Sequence, residues 1–140
     1  MNITDLLPHR DPFLFVDRLD SVSREEITGT KTYSPEEPFF AGHFPEYPVV
    51  PGVILVESMA QCGGAGVRQL GILGEKLFFL ATVDKVKMRR QVRPGDTVHM
   101  TIQNKRLSDR MIRQTGVATV DGETACEAEW MCLVGDAPTS

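Results

Sequence analysis

The amino-acid sequence predicts an α+β fold in which an antiparallel sheet of about six strands wraps around one long buried helix. Three observations point to it. The run "GVILVESMAQCGGAGVRQL", Gly52 to Leu70, is apolar nearly all round from Val53 to Val67, so a helix there is buried on most faces. The later segments alternate as half-buried antiparallel strands do, with Val98, Met100 and Ile102 on one face and Thr97, Thr101 and Gln103 on the other. The joints "RPGD", "LSDR" and "VDGE" carry turn chemistry, and Asp121-Gly122 is a tight-hairpin signal.

The elements follow in chain order. After a short opening turn, "DPFLFVDRLDSVS" and "EEITGTKTYS" are two strands, rich in β-branched and aromatic residues. Five prolines from Pro35 to Pro51 then exclude regular structure over most of "PEEPFFAGHFPEYPVVP". The helix covers roughly Gly52 to Leu70. Gly63, Gly64 and Gly66 weaken its second half and suit a place where another backbone or a slender ligand passes close. Beyond it, "KLFFLATVDKVKMRR", "DTVHMTIQNKRLS", "RMIRQTGVATVDG" and "ETACEAEWMCLVG" are four further strands.

At 140 residues the chain, 1–140, is expected to form one domain, with no internal repeat, low-complexity stretch or linker that would divide it. With 41% hydrophobic and 24% charged residues it has the composition of a globular protein. No apolar run reaches the roughly 18 residues of a membrane span, and "MNITDLLPHRDPF" lacks the basic and apolar regions of a secretion signal. Cys62, Cys126 and Cys132 form no metal-ligand spacing. Cys126 and Cys132 lie roughly 20 Å apart on an extended strand, too far for a disulfide. Three thiols without a framework point to a reducing, cytoplasmic setting. The net charge of −4 and the absence of an aromatic-rich basic motif argue against general nucleic-acid binding.

One acid, Glu57, stands among Val53, Ile54, Leu55, Val56 and Met59. An ionised carboxylate in apolar surroundings is costly unless paired, so Glu57 either faces a polar cleft or is held close to neutral. The plain alternative is a glutamate reaching the helix's one wet edge. Gln61, at i+4, lies on the same face and can bond the carboxyl group. His43 sits in a loop that Pro45, Pro48 and Pro51 stiffen, which suits a group held in one pose; the plain alternative is a loop histidine bonded to a backbone carbonyl. Pro51 fits the first helical turn, and Gly52 leaves room for a ligand to approach the free N–H groups at the positive end of the helix. A base, an acid and an N–H pair for an anionic oxygen are the parts required for proton abstraction next to a carbonyl.

The blocks "LPHRDPFLFVDRL", "EEPFFAGHFPEYPVVPGVILVESMAQ" and "RRQVRPGDTV" resemble, in order and spacing, the (3R)-hydroxyacyl-[acyl carrier protein] dehydratases of bacterial type II fatty-acid synthesis, from about Leu7 to Leu133. Glutamate rather than aspartate at position 57 places the chain with the non-isomerising branch. The resemblance implies the hotdog fold, His43 as catalytic histidine, Glu57 as catalytic acid, and Gly52 as the residue whose N–H polarises the thioester carbonyl, with Val53 N–H beside it. It implies sites shared between two chains, one giving the histidine and the other the acid, in homodimers or trimers of dimers. It implies no cofactor, the substrate being carried on the phosphopantetheine of acyl carrier protein. In that chemistry neutral His43 takes the C2 proton and protonated Glu57 helps the C3 hydroxyl leave; a scheme in which His43 performs both transfers fits the residues equally.

"DKVKMRRQVR" collects Lys85, Lys87, Arg89, Arg90 and Arg93 against one acid, either a solvated strand end or a landing patch for the acidic carrier. His9 and Arg10 are expected to be structural, shaping tunnel and interface. His99 fits the outward residues of its strand poorly and receives no function. Phe13, Phe15, Phe78, Phe79 and Met59 are expected to set pocket depth. A hotdog thioesterase, which would hydrolyse the same thioester, and a non-catalytic acyl-thioester-binding subunit are the competing readings.

Overall fold

The computed structural model describes residues 2–136. A four-residue helix, α1 (Ile3–Leu6), opens the chain, its start closed by the Asn2 N–H donating to Asp5 Oδ2 at 3.0 Å. Strands β1 (Arg18–Val22) and β2 (Glu26–Thr32) come next, then a 3-10 turn (Pro38–Ala41) and the long helix α2 (Gly52–Leu70). Four strands follow among the described residues: β3 (Leu77–Met88), β4 (Thr97–Leu107), β5 (Met111–Val120) and β6 (Glu123–Gly135). All six form one sheet in the order β1-β2-β4-β5-β6-β3, every pair antiparallel.

The sheet curves round α2. Ile27, Met100, Ile102, Ile112, Ala118 and Trp130 point inward and are buried with Leu55, Met59, Cys62, Ala65 and Val67 of the helix. Trp130 and Gln114 stand opposite each other in register, and the indole N–H donates to Gln114 Oε1 at 2.9 Å. The other end of that buried amide donates to Asn104 Oδ1 at 2.8 Å and to the Gly63 carbonyl at 3.2 Å. Each polar atom of Gln114 is thereby satisfied inside the core. A Cβ on Gly63 would collide with this amide, and one on Gly66 with Ile27. Side chains of the sheet, not a ligand, explain those two glycines. Gly64 is the one beside open space, facing Phe78.

The hairpin expected at Asp121-Gly122 is present, both residues with positive φ (50° and 79°), as a two-residue primed turn requires. The expected first strand is shorter than "DPFLFVDRLDSVS", because only Arg18–Val22 pairs with β2. Pro12 brings no N–H, the Phe13 N–H closes a turn on the Arg10 carbonyl, and the Phe15 N–H is taken by a helix side chain. His99 is exposed on β4 with Thr101, so it follows the alternation that the sequence reading denied it.

β3 stands at the sheet's edge, twelve residues long, with the register irregular at Leu80/Thr82 and Asp84/Lys87. From Phe79 to Met88 both of its faces are exposed, including Leu80, Val83, Val86 and Met88. Such a long apolar edge is one that proteins cover.

Candidate active site

Helix α2 carries Val53, Glu57, Gln61, Gly64 and Arg68 up one side at helical spacing, and from Glu57 to Arg68 that side faces a cleft of about 350 Å³. Leu6, Leu7, Ala60, Leu77, Phe78 and Leu80 give the cleft its apolar walls, with Phe13 and Phe79 at its margin. Glu57 is the one carboxylate in the lining, its side chain 22% exposed. Phe15 and Met59, expected to set pocket depth, are instead packed in the core and line none of it.

Gln61 fixes the carboxyl group. Its amide is 2% exposed and fully used: Oε1 accepts from the Phe15 N–H at 2.8 Å, while Nε2 donates to the Phe13 carbonyl at 3.1 Å and to Glu57 Oε2 at 2.9 Å. One side chain thus ties the extended Phe13–Phe15 stretch to the helix and holds the carboxyl in one orientation. Oε2 takes that hydrogen bond, and among the described residues Oε1 accepts none. His9 lines the same cleft, with Nε2 3.8 Å from Glu57 Oε2. Arg10 turns away and donates to the carbonyls of Leu7 and His9, both at 2.7 Å, and of Thr4 at 3.2 Å. Arg10 is spent on backbone carbonyls of its own segment, and His9 lines the cleft.

His43 is positioned from β2 and the 3-10 turn. Buried Lys31 pairs with Glu37 at 2.9 Å and lies 3.6 Å from Asp17, pinning the residue that precedes Pro38. Phe40 is buried, and the His43 N–H bonds the Phe39 carbonyl at 3.0 Å. The ring stacks on Phe44, centroids 4.3 Å apart. Nδ1 lies 3.1 Å from the Val49 carbonyl, which can only accept, so Nδ1 carries the proton and Nε2 of the neutral ring is left bare. That is the form a general base needs.

Gly52 and Val53 begin α2 and so have no helical acceptor for their N–H groups. A second concavity of about 300 Å³ borders Gly52, Val49 and Val50 together with Met88 to Val92. The Met88 thioether occupies the space a Gly52 Cβ would need. His43 does not line the cleft that holds Glu57. Within one chain the structure therefore groups Glu57 with Gln61 and His9, and Gly52 with the Val49 segment that holds His43.

The stretch from Lys85 to Arg90 is not a free cationic patch. Lys85 lies 3.7 Å from Glu129, Arg89 pairs with Glu127, and Arg90 lies 3.3 Å from Glu123, so β6 carboxylates oppose three of the four cations. A different cluster escaped the sequence reading. Lys105, Arg106, Arg110 and Arg113 are exposed around the β4–β5 hairpin, and none is in an ion pair among the described residues. Arg106 and Arg113 stand directly opposite in register, a like-charge pair that an anion would relieve. The signal was available, since "KRLSDRMIR" places four cations against one acid over nine residues.

Cys62, Cys126 and Cys132 are free and buried, and burial pushes the thiols up to about 12, 11 and 12 respectively, so all three stay protonated. Among the described residues no three His, Cys, Asp or Glu side chains cluster as metal ligands, and no helix is long and apolar enough to cross a membrane.

A FabA-like domain model matches residues 7–129. A protein of Oceanobacillus iheyensis named 3-hydroxyacyl-[acyl-carrier-protein] dehydratase FabZ is 45% identical over 128 residues, covering 91% of both chains. One of the same name from Bacillus subtilis is 41% identical over 135 residues, covering 96% of each. Among solved structures, the dehydratase heterocomplex ApeI:P of Xenorhabdus doucetiae superposes with a TM-score of 0.85 at 16% identity, covering 99% of this chain and 93% of that one. A hypothetical thioesterase of Streptococcus pneumoniae, solved with coenzyme A, has a TM-score of 0.66 at 11% identity, covering 87% and 88%. At those identities the two structures speak for the hotdog fold alone.

Proposed function

The chain belongs to the FabA-like domain family and, within it, to the 3-hydroxyacyl-[acyl-carrier-protein] dehydratases, hydro-lyases of fatty-acid biosynthesis; on that premise we propose that it eliminates water from (3R)-3-hydroxyacyl carrier thioesters with His43 as base and Glu57 as acid. The observation that carries the assignment of the acid is the cleft itself: apolar walls, one carboxylate, and an amide that leaves Oε1 of that carboxylate free.

The chemistry balances without a redox partner. The N–H groups of Gly52 and Val53 stabilise the thioester oxygen as it gains charge, which makes the C2 proton acidic. Bare Nε2 of His43 takes that proton. The electrons left on C2 form the C2–C3 double bond, and the C3 hydroxyl departs as water with the proton from Glu57 Oε1. The product is the trans-2-enoyl thioester, still on its phosphopantetheine arm, and no cofactor is drawn on.

His43 and Glu57 face no common space within one chain, so we place the base of each site on a second copy, in a homodimer or a trimer of dimers. The exposed apolar edge of β3 supports such pairing, and the site is incomplete without it. Buried, unpaired thiols support a cytoplasmic setting. The fold is shared with thioesterases, so the product decides between the readings. Purified protein given a carrier-bound 3-hydroxyacyl substrate forms enoyl thioester and releases no free thiol; stoichiometric thiol release without enoyl product would establish the thioesterase instead.

Acyl carrier protein, the expected partner, is acidic, and two basic surfaces compete to receive it. Reversing Lys85, Lys87, Arg89 and Arg90 removes cations whose field the β6 glutamates already oppose. Reversing Lys105, Arg106, Arg110 and Arg113 removes unpaired ones. The second set is expected to weaken turnover of carrier-bound substrate more, chiefly at low salt, and to leave a short pantetheine analogue nearly unaffected. A larger effect of the first set would return the docking site to the Lys85–Arg90 stretch.

A further inference from the structure

The geometry points to His9 as a positioning residue for the reaction proposed above, a neutral imidazole whose N–H steadies the Glu57 carboxylate as that carboxyl gives up its proton. The inference rests on the dehydratase reading, with Glu57 as acid, and adds a third member to the site.

Three features of the cleft carry it. First, His9 Nε2 and Gln61 Nε2 both address the same oxygen, Glu57 Oε2, at 3.8 and 2.9 Å, so two side chains engage one carboxyl oxygen and leave the other to the substrate. At 3.8 Å the imidazole is beyond hydrogen-bond reach and close enough for each group to feel the other's charge; such contacts commonly shorten when substrate fills a site. Second, His9 Nδ1 is buried without a partner. A proton there would be a buried donor with no acceptor, which places the proton of the neutral ring on Nε2, facing Glu57. Third, the ring is held in place, stacked on Phe13 at 6.5 Å, and Phe13's own carbonyl is tied to Gln61. The backbone between His9 and the helix is therefore fixed by the same amide that orients the acid.

The charge state follows from the surroundings. Burial holds the His9 imidazole below its usual value; Glu57 on α2 pulls the other way, and Arg10 on its own segment reinforces burial. The other ionisable groups lining the cleft are Arg68 of α2, Lys76 ahead of β3 and Cys132 of β6. Of these, the Cys132 thiol, pushed up to about 12, stays neutral. With His9 neutral, its Nε2–H faces Glu57 Oε2 as a donor and adds no charge of its own to the cleft.

The test compares His9→Ala, which removes the donor, with His9→Gln, which restores a neutral one. Wild type and Glu57→Gln are measured beside them on a carrier-bound 3-hydroxyacyl substrate. Loss of one donor to a developing charge is expected to lower kcat about ten- to a hundredfold in His9→Ala with KM little changed, while His9→Gln stays within about threefold of wild type. A purely structural histidine would not lower kcat alone, nor would glutamine restore it. Wild-type kcat with raised KM in His9→Ala, or equal damage in a folded His9→Gln, each overturn the proposal. Should His9→Ala fail to fold, His9→Phe fills the space without a donor and takes its place. An inactive wild type brings down the dehydratase reading itself, and an active Glu57→Gln brings down the acid, so those failures are distinct from failure at His9 alone.

Discussion

His43→Ala lowers turnover by about a hundred- to ten-thousandfold, the range for loss of a positioned base, while the acyl chain still binds. The two halves of that result have separate structural causes. Nothing else in the His43 loop offers a bare nitrogen, and the ring's other nitrogen is engaged by the Val49 carbonyl, so alanine leaves no substitute base. The apolar walls belong to α1, α2 and β3 and do not involve His43, so binding persists. The comparison requires kcat and KM measured separately on one carrier-bound substrate. An equal rise in KM with kcat preserved would make His43 a binding residue.

Glu57→Gln is expected to be nearly as damaging as Glu57→Ala. Glutamine keeps the length of the side chain and a group for Gln61 to bond, so the tie to the Phe13–Phe15 stretch survives. What it lacks is the proton on Oε1. A loss of about a hundredfold or more in Glu57→Gln, with unchanged thermal stability, assigns proton donation to Glu57. Retention of most activity would mean that His43 carries out both proton transfers and that Glu57 only orients.

These expectations draw on parts of the chain that were unequally legible in the sequence. The helix from Gly52 to Leu70 is where its apolar run places it, because burial on most faces leaves no alternative periodicity. The Asp121-Gly122 hairpin follows from two residues that accept positive φ. Phe13, Leu14, Phe15 and Val16 have strand chemistry, yet a buried amide 46 residues away claims the Phe15 N–H, and no local pattern reports that. The contact between Gln61 and Glu57 was readable from i+4 spacing, whereas the approach of His9 depends on how the opening loop lies over the helix. Charge density alone does not report the carboxylates that oppose Lys85, Arg89 and Arg90, since Glu129 and Glu127 enter through the β3–β6 register and Glu123 just beyond it.

The central claim is that a base and an acid from two copies of the chain form one site, and mixed dimers test it most directly. His43→Ala chains and Glu57→Ala chains, each nearly inactive alone, are refolded together and the heterodimer is isolated through distinct tags. One of its two sites then has intact His43 from one copy facing intact Glu57 from the other, so turnover returns to about half that of the wild-type dimer. A verified heterodimer that remains as inactive as its parents would place both residues in a single chain's site and contradict the account.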